Sequence, residues 1–207
     1  MSADLRERLC RWGKSLFERG LTGGSSGNIT ARTETGFLAT PTNSCLGFLD
    51  PAALSELDAG GSHAAGPKPT KEVPLHMAFY AARPSAGAVV HLHSTYATLL
   101  SCLADTDPSD AVPAVTPYVV MRVGRVPLLP YFAPGDPAIA PLIREKAATA
   151  PAVLLGNHGP VVAGATLEAA VFAAEELEEA AKLAILGRGQ ALRLLDPAEV
   201  ARLADRG

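Results

Sequence analysis

Ala88-Val89-Val90-His91-Leu92-His93-Ser94 is an apolar, β-branched run that ends in two imidazoles one residue apart. Such a run reads as a strand. Alternation along a strand sends His91 and His93 to one face and Leu92 to the other, and side chains so placed can chelate one ion. Alone, an H-x-H pair on a strand is more often a hydrogen-bonded pair than a metal site. His158 shifts that balance: it lies in Leu154-Leu155-Gly156-Asn157-His158-Gly159-Pro160, a second strand end flanked by glycines that thin the backbone for close approach. Three neutral imidazoles around an open fourth position make a catalytic rather than a structural zinc site. Imidazole also suits iron, copper and nickel. The chain has five histidines, and these three fall where strands run into loops.

With 207 residues the chain is long enough for one well-buried domain, 1–207. It is 48% hydrophobic and 19% charged, which describes a globular rather than a disordered protein. A net charge of -3 gives no reason to expect nucleic acid or an anionic membrane as partner. Three cysteines without C-x-x-C spacing argue against a disulfide framework and fit a reducing cytosol. The N-terminus is charged and lacks the apolar core of a signal peptide, and no apolar stretch approaches membrane-spanning length. A cytoplasmic protein is expected.

Outward from residues 88–94, strands and helices interleave. Leu5, Leu9, Trp12, Leu16 and Phe17 predict a helix over 3–19 that ends at Gly20. Strands are expected at 29–32, 36–40 and 55–58, with 59–69 loose. A helix over 73–82 precedes the strand at 87–93, and a shorter one at 95–104 follows it. Residues 118–123 and 126–129 read as strands. Asp136-Pro137 opens a helix to about 148, 152–155 and 161–163 are strands around His158, and Thr166 caps a long helix to about 186. The tail from Gly187 is expected to pack on a neighbour or fray. Hairpins too short for parallel crossovers join several strands. The expected fold is therefore a three-layer α/β/α single domain with a mixed, mainly antiparallel central sheet.

Three polar loops could form an anion site: 23–28, 40–44 and 68–72, the last leading into the helix at 73, whose N-terminus favours negative charge. Taken singly, each is more simply an ordinary loop, and no Walker motif is present. Glu72, if set beside a metal, would act as general acid or base, and desolvation would raise its pKa. A helix-start glutamate that complements the macrodipole is the plainer alternative. His76 reads as a packing histidine or one that supports the site from behind, and His63 as an exposed loop residue.

Gly27-Asn28, Thr40-Pro41-Thr42, Glu72, His91/His93 and Asn157-His158-Gly159, in this order and spacing from about residue 5 to 186, resemble the class II aldolase/adducin family. The resemblance implies an α/β/α fold, a divalent metal (most commonly zinc) and a homotetramer with sites between subunits. It implies His91, His93 and His158 as metal ligands, Glu72 as catalytic acid/base, and Asn28, Thr42, Asn43, Thr70 and Lys71 around a phosphate. Tyr118 lies roughly where aldolases carry an interface tyrosine that donates a proton, and ranks below Glu72. The family's sugar-phosphate aldolases usually have Gly at the position of Asn43 and Ser-Ser at Thr70-Lys71. Residues 66–76, 120–127, 23–28 and 175–179 look instead like the 3-oxo-tetronate 4-phosphate decarboxylases. That likeness implies a carboxy-lyase acting on a small phosphorylated sugar acid through a metal-stabilised enediolate and yielding dihydroxyacetone phosphate. The alternative is an aldolase or 4-epimerase of a sugar phosphate. Lys68, Lys71 and Arg122 are open candidates for holding carboxylate or phosphate.

Overall fold

The computed structural model describes residues 2–204; Met1 and residues 205–207, the ends of the expected 1–207 domain, lie outside the described residues. In chain order the elements are α1 (Ser2–Glu18), β1 (Asn28–Arg32), β2 (Gly36–Ala39), β3 (Ser55–Asp58), β4 (His63–Ala65), α2 (Val73–Ala82), β5 (Ala88–His91), α3 (Thr95–Cys102), α4 (Pro117–Arg122), β6 (Leu128–Leu129), α5 (Ala140–Ala147), β7 (Ala152–Leu155), β8 (Gly159–Gly164), α6 (Leu167–Leu186) and α7 (Pro197–Ala204). The strands form one sheet in the order β4-β3-β2-β1-β5-β8-β7-β6. Every pairing is antiparallel except β6 with β7. The sheet is mixed and mainly antiparallel, as expected.

Alternation along the central strands builds a core on each face. Ala88, Val90 and Leu92 join Leu9 and Leu16 of α1, Ala97 and Leu100 of α3, and the inner stripe of α6. Val89, Val153 and Val161 face the other way, onto Leu75 and Phe79 of α2 and Ile143 of α5. Burying a side chain such as Phe79 or Leu177 completely stabilises the fold by about 1.5–3 kcal/mol. Two helical layers thus sandwich the sheet, and the sequence pattern that predicts them is the two-sided apolarity of β5, β7 and β8.

Four expectations need correction. The stretch 118–123 is not a strand: residues 118–122 belong to helix α4 and Val123 caps it. Thr116 accepts from the Val119 N–H at 3.2 Å and Pro117 takes the first helical position, so the Thr-Pro start outweighs the β-branched Val119-Val120 pair. The strand at 126–129 shrinks to two residues at the sheet edge. The loose stretch 59–69 contributes edge strand β4. The tail returns to its own chain: the Leu195 N–H donates to the Ala114 carbonyl at 3.1 Å, and Val200 and Leu203 of α7 pack on the α6-side core. Among the described residues no helix is long and apolar enough to cross a membrane.

Candidate active site

Strand β5 ends at His91, and its ring is fully buried. His91 Nδ1 lies 2.9 Å from the Pro160 carbonyl of β8. A carbonyl only accepts, so Nδ1 carries the proton and Nε2 keeps its lone pair. That Nε2 lies 3.1 Å from His93 Nε2 and 3.3 Å from His158 Nε2. The rings stand edge-on to one another, at 66–80°. Ligands of a tetrahedral zinc about 2.0–2.1 Å from each nitrogen would be about 3.3–3.4 Å apart, so the three residues fit a single divalent ion. Burial pushes the His91 pKa down to about 3 and lowers those of His93 and His158. All three rings are therefore neutral near pH 7 and offer lone pairs.

Local backbone explains the convergence. His93 lies just beyond β5 yet keeps the alternation, with Leu92 in the opposite core. His158 sits at the β7–β8 turn, where Asn157 takes a left-handed φ of 55°. Gly159 lets this turn approach residue 92: a Cβ there would lie 2.3 Å from the Leu92 carbonyl. Helix α3 holds the turn from below. The Asn157 N–H donates to the Ser101 carbonyl at 3.2 Å, and Thr98 Oγ1 donates to the His158 carbonyl at 3.3 Å. The N-terminus of α3 is held by Glu178 of α6, which accepts from the Tyr96 and Ala97 N–H groups at 2.9 Å each. Sequence reading missed this role, and the N-cap residue Ser94 has a buried hydroxyl that finds no partner among the described residues.

Glu72 stands at the start of α2 with its Oε2 3.4 Å from His91 Nε2 and its Oε1 3.6 Å from His158 Nε2. Asn28 Nδ2 donates to Oε2 at 2.7 Å. Burial opposes ionisation here, but attraction to the histidine cluster whenever one of its rings is protonated, together with the Asn28 N–H, outweighs it and holds the carboxyl below its ordinary value. The expected rise is thus reversed, and Glu72 is a carboxylate at neutral pH.

A cavity of about 240 Å³ opens over this cluster, lined by Asn28, Thr42, Asn43, Thr70, Lys71, Glu72, His93 and His158, together with Ser25, Ser26, Gly27 and Pro134. Its wall is two zipped segments: the Thr42 N–H donates to the Lys68 carbonyl and the Thr70 N–H to the Thr40 carbonyl, at 2.9 and 3.0 Å. Asn43 has φ 57°, the left-handed conformation that glycine adopts freely and asparagine tolerates better than most residues. Among the described residues Lys71 is the only lysine lining this cavity. Tyr118 and Arg122 lie elsewhere, on α4, lining a separate cavity of about 830 Å³ beside Tyr96, Phe172, Glu175 and Glu176. Tyr118 is 56% exposed, and within one chain it is not brought to the histidines.

Residues 7–185 match the Class II Aldolase and Adducin N-terminal domain. A 3-oxo-tetronate 4-phosphate decarboxylase of Escherichia coli K12 is 50% identical over 200 residues, 96% of this chain and 94% of that protein. The crystal structure of YgbL from Escherichia coli superposes with a TM-score of 0.95 at 48% identity, covering 98% of this chain and 99% of that one. An L-fuculose phosphate aldolase of Escherichia coli is 32% identical over 183 residues, 87% of this chain and 80% of that protein. Likeness of this extent, in sequence and in backbone, means that the chain belongs to the class II aldolase and adducin N-terminal domain family.

Proposed function

We propose that this protein is a metal-dependent carboxy-lyase that converts a 3-oxo-tetronate 4-phosphate to dihydroxyacetone phosphate and CO₂. The observation that carries the reading is the meeting of three neutral imidazole nitrogens and one carboxylate at the floor of a polar cavity with a lysine on its wall. The 50% identity to a relative named for that activity, against 32% to an aldolase, favours decarboxylation over aldol cleavage.

In this reading His91, His93 and His158 hold the ion, and zinc suits three imidazoles with a position left open. Bound there, a divalent metal supplies Lewis-acid stabilisation for the charge that builds on the C3 carbonyl as the C1–C2 bond breaks. Lys71, Thr42, Asn43, Thr70 and Asn28 supply the cationic and hydrogen-bonding wall for the phosphate. C1 leaves as CO₂, and Glu72 delivers a proton to C2, so that one substrate and one proton give one CO₂ and one dihydroxyacetone phosphate. Being ionised at rest, Glu72 loads that proton from water in the open cavity before donating it. Exposed Tyr118 would serve as a second donor in a neighbour's site if the protein is a homotetramer with sites between subunits. One sheet with a core on each face supports reading 1–207 as one domain.

The test is CO₂ release from freshly made 3-oxo-tetronate 4-phosphate, with and without chelator, following dihydroxyacetone phosphate in parallel. β-Keto acids decarboxylate unaided, so the enzyme-dependent excess is the quantity read. Chelator-sensitive excess with matching product is expected. No excess from protein shown to hold its metal overturns the reading and turns the search to aldol cleavage or 4-epimerisation of a ketose phosphate.

A further inference from the structure

Behind Glu72, a line of buried polar groups runs away from the cavity between β1 and α2. Asn28, Thr30 and Arg32 alternate on one face of the strand, while Glu72, His76 and Tyr80 recur every four residues at and along the helix. The two spacings match. Two strand residues advance about 6.6–6.8 Å and four helix residues about 6.0 Å, so each strand side chain falls between successive helix side chains. From Glu72, Asn28 Nδ2 donates at 2.7 Å, and Asn28 Oδ1 lies 2.5 Å from His76 Nε2. His76 Nδ1 lies 2.9 Å from Thr30 Oγ1, which lies 3.0 Å from the Tyr80 hydroxyl. The Arg32 guanidinium covers the Tyr80 ring, 4.8 Å from its centroid. Asn28, Thr30, His76 and Tyr80 are all buried.

The Glu72 end sets the direction of every bond in this line. Asn28 places its NH₂ on Glu72 Oε2 and its Oδ1 on His76, and an amide oxygen only accepts. His76 Nε2 must then carry the ring proton. Burial pushes the pKa of this ring down to about 4, so the ring is neutral and its Nδ1 a bare acceptor. Thr30 therefore donates to Nδ1 and accepts from Tyr80. With His76 replaced by an apolar residue, nothing would stop the Asn28 amide from turning its oxygen toward Glu72, where two acceptors would repel.

We infer that His76 is a positioning residue for Glu72. Through Asn28 it fixes the donor that tethers the carboxylate beside the histidine cluster, and Thr30 and Tyr80 fix the His76 tautomer in turn. The inference rests on the proposed role of Glu72 in moving the proton.

Three variants and one spectrum of the metal-loaded enzyme test it. His76→Leu is expected to lower kcat on the order of 10–100-fold, with KM and bound metal unchanged. His76→Gln keeps an N–H donor near the place of Nε2 and should recover most of that loss. Asn28→Ala and His76→Leu combined should be no worse than Asn28→Ala alone, because both remove the same tether. Unchanged kcat in His76→Leu, losses that multiply in the double variant, or no recovery in a folded, metal-loaded His76→Gln each overturn the inference. If His76→Leu fails to fold, the glutamine variant and ¹⁵N NMR of the wild-type ring decide. A pyrrole-type Nε2 and a pyridine-type Nδ1 are expected, and the reverse tautomer or an imidazolium at pH 7 overturns the inference. The spectrum does not depend on which reaction is catalysed. Absence of CO₂ release by the wild type would overturn the proposed activity while leaving the tautomer assignment to be read by itself.

Discussion

Acid should destabilise this protein measurably through His76. The ring is completely buried, and burial pushes its pKa from 6.5 down to about 4. In the unfolded chain the ring takes up a proton near its ordinary value of about 6.5, whereas in the native state it stays neutral until about pH 4. Between those values the unfolded state binds more protons, so stability is lost as pH falls through the window and no further below it. The full window spans about 2.5 pH units, worth about 3 kcal/mol, of which about 2 kcal/mol is lost by pH 5.0. His91, His93 and His158 shift in the same sense, so the wild-type slope alone does not isolate one ring. The difference between wild type and His76→Gln does, because glutamine does not titrate. Urea unfolding of both proteins, metal-free and at one protein concentration, should be run at several pH values from 7.5 to 5.0. Wild type should lose about 2 kcal/mol more than His76→Gln over that range. Equal losses would mean that the native fold protonates His76 as readily as water does, which would refute its assignment as a neutral buried ring.

Three further outcomes are expected. Glu72→Gln retains an acceptor for the Asn28 N–H, so it should keep its metal while kcat falls by about 10²–10⁴-fold; full CO₂ release from this variant would remove Glu72 from the mechanism. His93→Ala takes away one of the three converging nitrogens, and metal content by elemental analysis should fall together with activity. A full metal complement in that variant would exclude His93 as a ligand. Glu178→Ala frees the Tyr96 and Ala97 N–H groups and should cost about 1 kcal/mol in urea unfolding, softened because the idle Ser94 hydroxyl can turn to cap them. Ser94→Ala alone should be nearly neutral, and a large loss there would contradict Glu178 as the cap.

The parts of the fold legible in the sequence are those with local causes. Helix α2 has the predicted bounds, and the Ile29 and Phe37 strands, the Thr166 cap and the Asp136-Pro137 start lie within a residue or two of expectation. The misreadings concern competition between signals or distant contacts. At 118–123 a β-branched run hid a Thr-Pro helix start that was readable. Helix α7 has a readable start, Asp196-Pro197 with Glu199 closing a capping box, but its docking on the α6-side core through Leu195, Val200 and Leu203 is a distant contact. The same division holds in the site. His91 and His93 come together through alternation and Gly159 through its need for close approach, whereas Glu178 reaches Tyr96 across 82 residues of chain. The reversed Glu72 shift is not legible in the sequence, because burial and the neighbouring imidazoles are foreseeable but the Asn28 N–H is not.

The placement of the reactive groups on regular elements bears on how firmly the site is held. His91 is the last residue of a central strand, Asn28 the first of its neighbour, and these two pair in register. Glu72 is the residue from which α2 starts, so its backbone carbonyl accepts from the Leu75 and His76 N–H groups while its side chain faces the histidines. A loop carrying the same residues would lose geometry with each rotation of its backbone; a sheet register and a helix start admit one arrangement. The phosphate-side residues differ in this respect. Thr42, Asn43, Thr70 and Lys71 lie on connecting segments tied together by two backbone hydrogen bonds, which leaves that wall freer to change. Divergence of substrate within the family should therefore fall on the 40–43 and 68–71 segments, while the histidine cluster and the Glu72–Asn28–His76 line stay as they are. Asn43 and Thr70-Lys71, where the resemblance to the family's sugar-phosphate aldolases is expected to break, both lie in those segments.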